Sequence, residues 1–105
     1  MEKISDIINN LPNQIDLEKT KGIHTILQFS ISGEGGGDWG VTIEDGTVAV
    51  KPGQIEKPQL IIKASASDAI KLLHGELNPM GAFMTGKVKI VGDMALAMKL
   101  FNLIK

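Results

Sequence analysis

The chain has 105 residues, a formal charge of −1 at neutral pH and no cysteine, so disulfides, thiolate metal sites and thiol nucleophiles are excluded, as suits a reducing compartment. Its length predicts a single domain over residues 1–105 that buries roughly 60–70% of its unfolded surface without staples. Every basic residue is lysine, and without arginine's bidentate fork no nucleic-acid partner is expected.

At the start, Ile4, Ile7, Ile8 and Leu11 recur at helical spacing and predict an amphipathic helix stopped by Pro12. The opening Met-Glu-Lys-Ile-Ser-Asp lacks the basic start and apolar core of a signal peptide. No run approaches the roughly 18 apolar residues of a membrane span, so a soluble, cytoplasmic protein is expected. Residues Asn13 to Gly22 read as a loop with one helical turn at most. Ile23, Thr25, Leu27, Phe29 and Ile31 then alternate with His24, Ile26, Gln28 and Ser30, the period of a strand with one richer face.

Gly33 to Asp38 links this strand to one that places Trp39, Val41 and Ile43 on one side. Asp45-Gly46 supplies a two-residue hairpin turn, after which Thr47 to Lys51 returns antiparallel with Val48 and Val50 inward. Pro52-Gly53 and Lys57-Pro58 bracket a loop, and Leu60, Ile62 and Ala64 face inward on a fourth strand. Ser65 and Asp68 form a capping-box pattern that opens a helix carrying Ala69, Ile70, Leu72 and Leu73 and ending at Gly75. Asn78-Pro79 starts another short helix, cap followed by proline, which Gly86 ends. Lys87 to Val91 makes a fifth strand with Val88 and Ile90 inward, and Asp93 begins the last helix. The organisation is α+β, without internal repeats.

Charge is divided along the chain. Up to Val50 there are three lysines against eight acids, and from Lys51 onward eight lysines against four acids, so the halves carry about −5 and +4. Either sheet pairing mixes the halves in space or the fold presents a basic face.

Little in the sequence points to catalysis. The glycines from Gly33 to Gly37 join strand to strand, so no helix N-terminus follows to receive a phosphate, and a flexible hairpin loop is the better reading. His24 lies on the poorer face of a strand, and His74 in the last turn of a helix, where an imidazolium suits the C-terminal dipole. Two histidines fifty residues apart make no metal spacing, and neither stands in a serine-hydrolase signature; Ser30, Ser65 and Ser67 have no other base on offer. No enzyme activity, cofactor or metal is expected.

What stands out is surplus apolar surface. On a wheel of Met94 to Ile104 only Lys99 and Asn102 form a polar wedge, leaving an apolar arc of roughly 220°, about twice what one sheet requires. Met80 and Met84 are spaced i, i+4, as are Met94 and Met98, and Phe83 and Phe101 add flat surface beside them. Thioether chains with three rotatable bonds suit a wall that accepts ligands of varied shape, although the same residues could be ordinary core.

The stretch Asn78-Pro79, Ala82-Phe83-Met84, Gly86-Lys87-Val88-Lys89-Ile90, Gly92-Asp93-Met94 and Leu96-Ala97-Met98-Lys99-Leu100 resembles the C-terminal signature of the sterol carrier protein type 2 family. The Trp39 strand, the Asp45-Gly46 turn and the helix opening at Ser65 fall where that fold has counterparts. The resemblance implies a five-stranded, mainly antiparallel sheet with helices on one face. Between them it implies an apolar tunnel for fatty acids, fatty acyl-CoA or other, sterol-like lipids. The chain stops at Leu103-Ile104-Lys105, short of the tail that helps close the tunnel in studied carriers, so a more open tunnel is expected and peroxisomal targeting is unsupported.

Together these readings give a non-catalytic lipid carrier whose tunnel is lined by Phe29, Trp39, Val41, Ile43, Ile62, Leu73, Leu77, Met80, Phe83, Met84, Ile90, Met94, Met98 and Phe101. Lys63, Lys87 and Lys89 face outward on the last two strands and are candidates for transient contact with an anionic membrane, or simply solvate the sheet. The rival is an interaction module that buries the same apolar arc against a second copy or a partner enzyme.

Overall fold

The computed structural model describes residues 3–103. Five strands, β1 (His24–Ser32), β2 (Gly37–Glu44), β3 (Thr47–Pro52), β4 (Leu60–Ser65) and β5 (Val88–Gly92), form one sheet in the order β3-β2-β1-β4-β5. All pairings are antiparallel except β1 with β4, so the sheet is mainly antiparallel with one parallel seam. The alternation seen in the sequence sets the register. Phe29 lies opposite Trp39 on one side and Ile62 on the other, and Ile62 opposite Ile90, so one apolar row crosses four strands on the same face.

The β2–β3 hairpin closes through Asp45 and Gly46, both at positive φ (37° and 92°), the paired left-handed conformations of a primed turn whose twist matches the strands. The Asp45 carboxylate also accepts the Gly22 amide at 3.0 Å and thereby ties the turn to the lead-in of β1.

Helices cover the apolar face. α1 (Ile4–Asn9) buries Ile4, Ile7 and Ile8. Pro12 does not end the N-terminal helix as the spacing predicts. The helix breaks at Asn10, and Pro12 sits in the first turn of a short α2 (Leu11–Gln14), where its missing N–H has no partner to lose. The following segment holds a 3-10 turn at Leu17–Thr20, capped by Asp16. α3 (Ala66–Leu73), α4 (Pro79–Met84) and α5 (Met94–Phe101) start at Ser65, Asn78 and Asp93, whose side-chain oxygens accept first-turn amides. His74 is the C-cap of α3. α5 is shorter than the wheel read from the sequence; Ile104 and Lys105, part of the expected open end, lie outside the described residues.

The opposite face is crossed by a connection. To reach β4 from β3 the chain must pass β2 and β1, and residues Gly53 to Gln59 do so. Gln28, on the poorer face of β1, is buried beneath them. Its Nε2 donates to the Phe29 and Gly53 carbonyls (3.1 and 3.3 Å), and its Oε1 accepts the Ile55 amide at 2.7 Å. Beside it, Gly40 leaves room for Ile55; a Cβ there would stand 2.8 Å from the Ile55 Cβ. The Ile26 backbone then exchanges hydrogen bonds with Gln59, its amide donating to Oε1 at 3.0 Å and its carbonyl accepting the Gln59 amide at 2.7 Å.

Gln28→Ala strips the Ile55 amide and two carbonyls of their partner, and unfolding in urea is expected to show a loss of about 2–4 kcal/mol.

Candidate functional site

The apolar face of the sheet meets α5 and the α2 segment around a small gap. Nine residues line it: Leu27 and Phe29 from β1, Val41 and Ile43 from β2, Ile62 from β4, Leu100 and Phe101 from α5, with Leu11 and Ile15. None bears a polar side chain. The gap has a volume of about 30 Å³, whereas sites that enclose a small molecule run to about 300–1,000 Å³. A space lined so entirely by apolar groups stays dry.

Of the residues expected to line a tunnel, Phe29, Val41, Ile43, Ile62 and Phe101 meet at this gap. Trp39 is buried on the same face but borders an open cleft with Ile4, Ala66 and Ile70, and Leu73 borders another with Ile7 and Leu11. Leu77, Ile90, Met94 and Met98 are half-buried, the first three against the main core. Met80, Phe83 and Met84 point outward, with Met84 78% exposed. Spaced i, i+3, i+4, they share one face of α4, and this six-residue helix buries Ala82 on the other side. The methionine pairs were the residues expected to give an adaptable wall, yet no methionine touches the gap. Leu11, Ile15, Leu27 and Leu100, which do, belong to patterns that reveal only a core-facing side.

α5 forms one wall of the gap. It buries Ala97 and Leu100, packs Met94, Leu96 and Phe101 partly buried against the core, and beyond its end the Leu103 carbonyl accepts the Asp16 amide at 3.2 Å. An eight-residue helix has little stability of its own, so packing holds it in place.

On the outer face lysines of the second half gather at one end of the sheet. β4 and β5, both from the lysine-rich half, lie together at one end of the sheet, and Lys63 stands directly opposite Lys89. Both are exposed, as is Lys87, and a shallow groove of about 370 Å³ runs between Ser30, Ser32, Lys63, Gly86 and Lys89. The ion pairs among the described residues are Lys21 with Glu18 and, when the imidazole is protonated, His24 with Glu44, so no described carboxylate lies within 4.0 Å of these three amines. His24 and Glu44, 3.9 Å apart, are both well exposed on the sheet surface. Among the described residues no group of three acidic or histidine side chains could hold a metal ion, and no helix is long and apolar enough to cross a membrane.

Residues 4–105 match the model of the SCP-2 sterol transfer family. The chain belongs to that family. It is 41% identical over 86 residues to sterol carrier protein 2 of Homo sapiens, covering 79% of this chain and 16% of that protein. It is also 38% identical over 94 residues to hydroxysteroid dehydrogenase-like protein 2 of Xenopus tropicalis, covering 89% of this chain and 22% of that one. The chain thus spans about a fifth of the length of these curated relatives. Among solved structures, the sterol carrier protein domain 2 of Helicoverpa armigera superposes with a TM-score of 0.74 at 32% identity, over 93% of this chain and 80% of that one. This neighbour bears out the five-stranded α+β fold expected from the sequence. Family membership supports lipid binding and transfer in general.

Two contrasts test this geometry by denaturation. Leu100→Ala is expected to lower stability by about 2–5 kcal/mol, whereas Met84→Ala changes it by less than about 0.5 kcal/mol. Lys89→Glu replaces a like-charge cross-strand pair with an opposite one and should raise stability by about 0.2–1 kcal/mol.

Proposed function

We propose that the chain is a non-catalytic carrier that takes the acyl chain of a fatty acid or fatty acyl-CoA between the sheet and α5. The observation that carries this reading is the gap itself, walled entirely by apolar side chains beneath a short helix held by its cap and by packing. Outward movement of α5 would widen the gap along the row of Phe29, Val41 and Ile62, and would turn Met94 and Met98 from its flank toward the ligand. Each methylene admitted displaces water from about 0.8 kcal/mol worth of apolar surface, which offsets the lost packing of α5. The absence of cysteine suits work in the cytoplasm.

The rival reading makes the segment an interaction module within or beside a larger enzyme, and its short share of its relatives' length favours considering it. Under that reading the apolar surface meets a protein, and no chain-length dependence arises.

Calorimetric titration with saturated fatty acids of increasing length separates the two. Two further carbons should tighten binding by roughly tenfold until the widened gap is full. Equal affinity across the series would remove the acyl-chain site, and native mass spectrometry showing a concentration-dependent dimer without bound lipid would favour the module.

A further inference from the structure

We propose that β3 is the surface by which two copies of this chain join, antiparallel about a two-fold axis at Ala49, so that their two sheets continue as one. The inference stands on the sheet and not on the carrier reading, since β3 supplies no residue to the gap.

The hairpin decides which groups of β3 are open. In a two-residue hairpin the residues flanking the turn exchange both backbone hydrogen bonds, and the exchange recurs at every second pair. Glu44 faces Thr47 across the Asp45-Gly46 turn, so Thr47, Ala49 and Lys51 direct their N–H and C=O groups to β2. Val48 and Val50 direct theirs away from the sheet, and no described group outside the strands pairs with them. Pro52, next in the same outward series, has no N–H to offer, which is where a sheet tolerates proline. The two edges are guarded differently. β5 carries Lys89 and has α4 and α5 beside it, whereas Thr47 to Val50 of β3 holds no charge. Apolar surface adjoins this open edge, because Leu17 is 42% exposed on the 3-10 turn that packs beside β3.

The sequence of β3 is complementary to itself. With Ala49 opposite Ala49 of the other copy, Val48 of each chain stands opposite Val50 of the other, and both such pairs exchange their outward hydrogen bonds. These valines are half-buried against the core, so the apolar rows of the two sheets run on into each other. On the outer face Lys51 stands opposite the other copy's Thr47, and beyond that small side chain lies the same copy's Glu44, the β2 partner of Thr47. Each Lys51 thus approaches a carboxylate from the acidic half of the other chain, and the two-fold axis repeats the match. One strand pair and its flanks make a small interface, so the dimer is weak and its formation depends on concentration.

The absence of cysteine makes the geometry directly testable. Residue 49 faces its own copy in a pair that exchanges no hydrogen bonds, where Cα atoms stand about 4.5 Å apart, within reach of a disulfide. Ala49→Cys, with diamide as oxidant, should give a covalent dimer on a non-reducing gel. Thr47→Cys should not, because the two copies of that position lie roughly 13 Å apart along the strands. Without oxidant, the mass of the unaltered chain in sedimentation should rise from one copy toward two with concentration. Lys51→Glu should weaken the dimer about tenfold, and adding Glu44→Lys should restore it. Val50→Pro should abolish it, since proline takes away an outward N–H and no bond to β2; circular dichroism checks its fold, and the charge exchange decides if it unfolds. A constant monomer mass up to millimolar concentration would overturn the proposal and leave the edge to another protein's strand or to solvent. So would a dimer indifferent to Lys51→Glu, or equal crosslinking at positions 47 and 49. Loss of the dimer in Met80→Ser with Met84→Ser would overturn it as well, by assigning the contact to α4. Calorimetry with a fatty acid keeps the two readings apart: chain binding by a permanent monomer overturns the dimer alone, and a β3 dimer that binds no chain overturns the carrier alone.

Discussion

The strand order forces one connection to cross the sheet, and much of the molecule follows from that crossing. Residues Gly53 to Gln59 must span three strand spacings, roughly 14 Å, which seven extended residues reach with slack to spare. A polar segment lying on a sheet brings backbone groups that need partners, and Gln28 and Gln59 supply them. Gly40 supplies the space. With the middle of the outer face occupied, the helices gather on the other side, and the β4–β5 end of the outer face is left open with its lysines.

The helical layer is assembled from short pieces. α1 to α5 run from four to eight residues, below the length at which helices persist alone, so caps and buried contacts maintain them. Such a layer can part from the sheet locally without loss of the strands, whose cross-strand pairing is independent of any one helix. The gap lies under the last of these pieces. Opening by movement of one small element is compatible with a close-packed core, and under the proposed carrier function it would reconcile a 30 Å³ space with a far larger acyl chain.

Local rules made most of the framework legible. Strand alternation from Ile23 to Ile31, the Asp45-Gly46 turn and the caps at Ser65, Asn78 and Asp93 depend on residues within a few positions of one another, and each stands where the sequence places it. Gln28 was not legible, because a glutamine on the poorer face of a strand looks like solvent-facing polarity; its partner Ile55 is 27 residues away. The gap wall was legible in part. Phe29, Val41, Ile43 and Ile62 follow from the inward face of the strands, but which helix lies over them is a tertiary fact, and Leu11, Ile15 and Leu100 have no local signature of it. The methionines of α4 show a related limit. Their spacing marks a stripe on α4, but not whether the stripe faces the sheet, and here the smaller Ala82 takes the inward position.

That outward stripe has a chemical consequence. A thioether is readily oxidised to a sulfoxide, which turns an apolar, flexible side chain into a polar one, and exposure governs how fast this happens. Met80 and Met84 stand in solvent, whereas the nine residues of the gap include no sulfur at all. Mild peroxide would therefore change the character of the α4 ridge while leaving the gap wall chemically untouched, a sensitivity that leucine in the same positions would not confer.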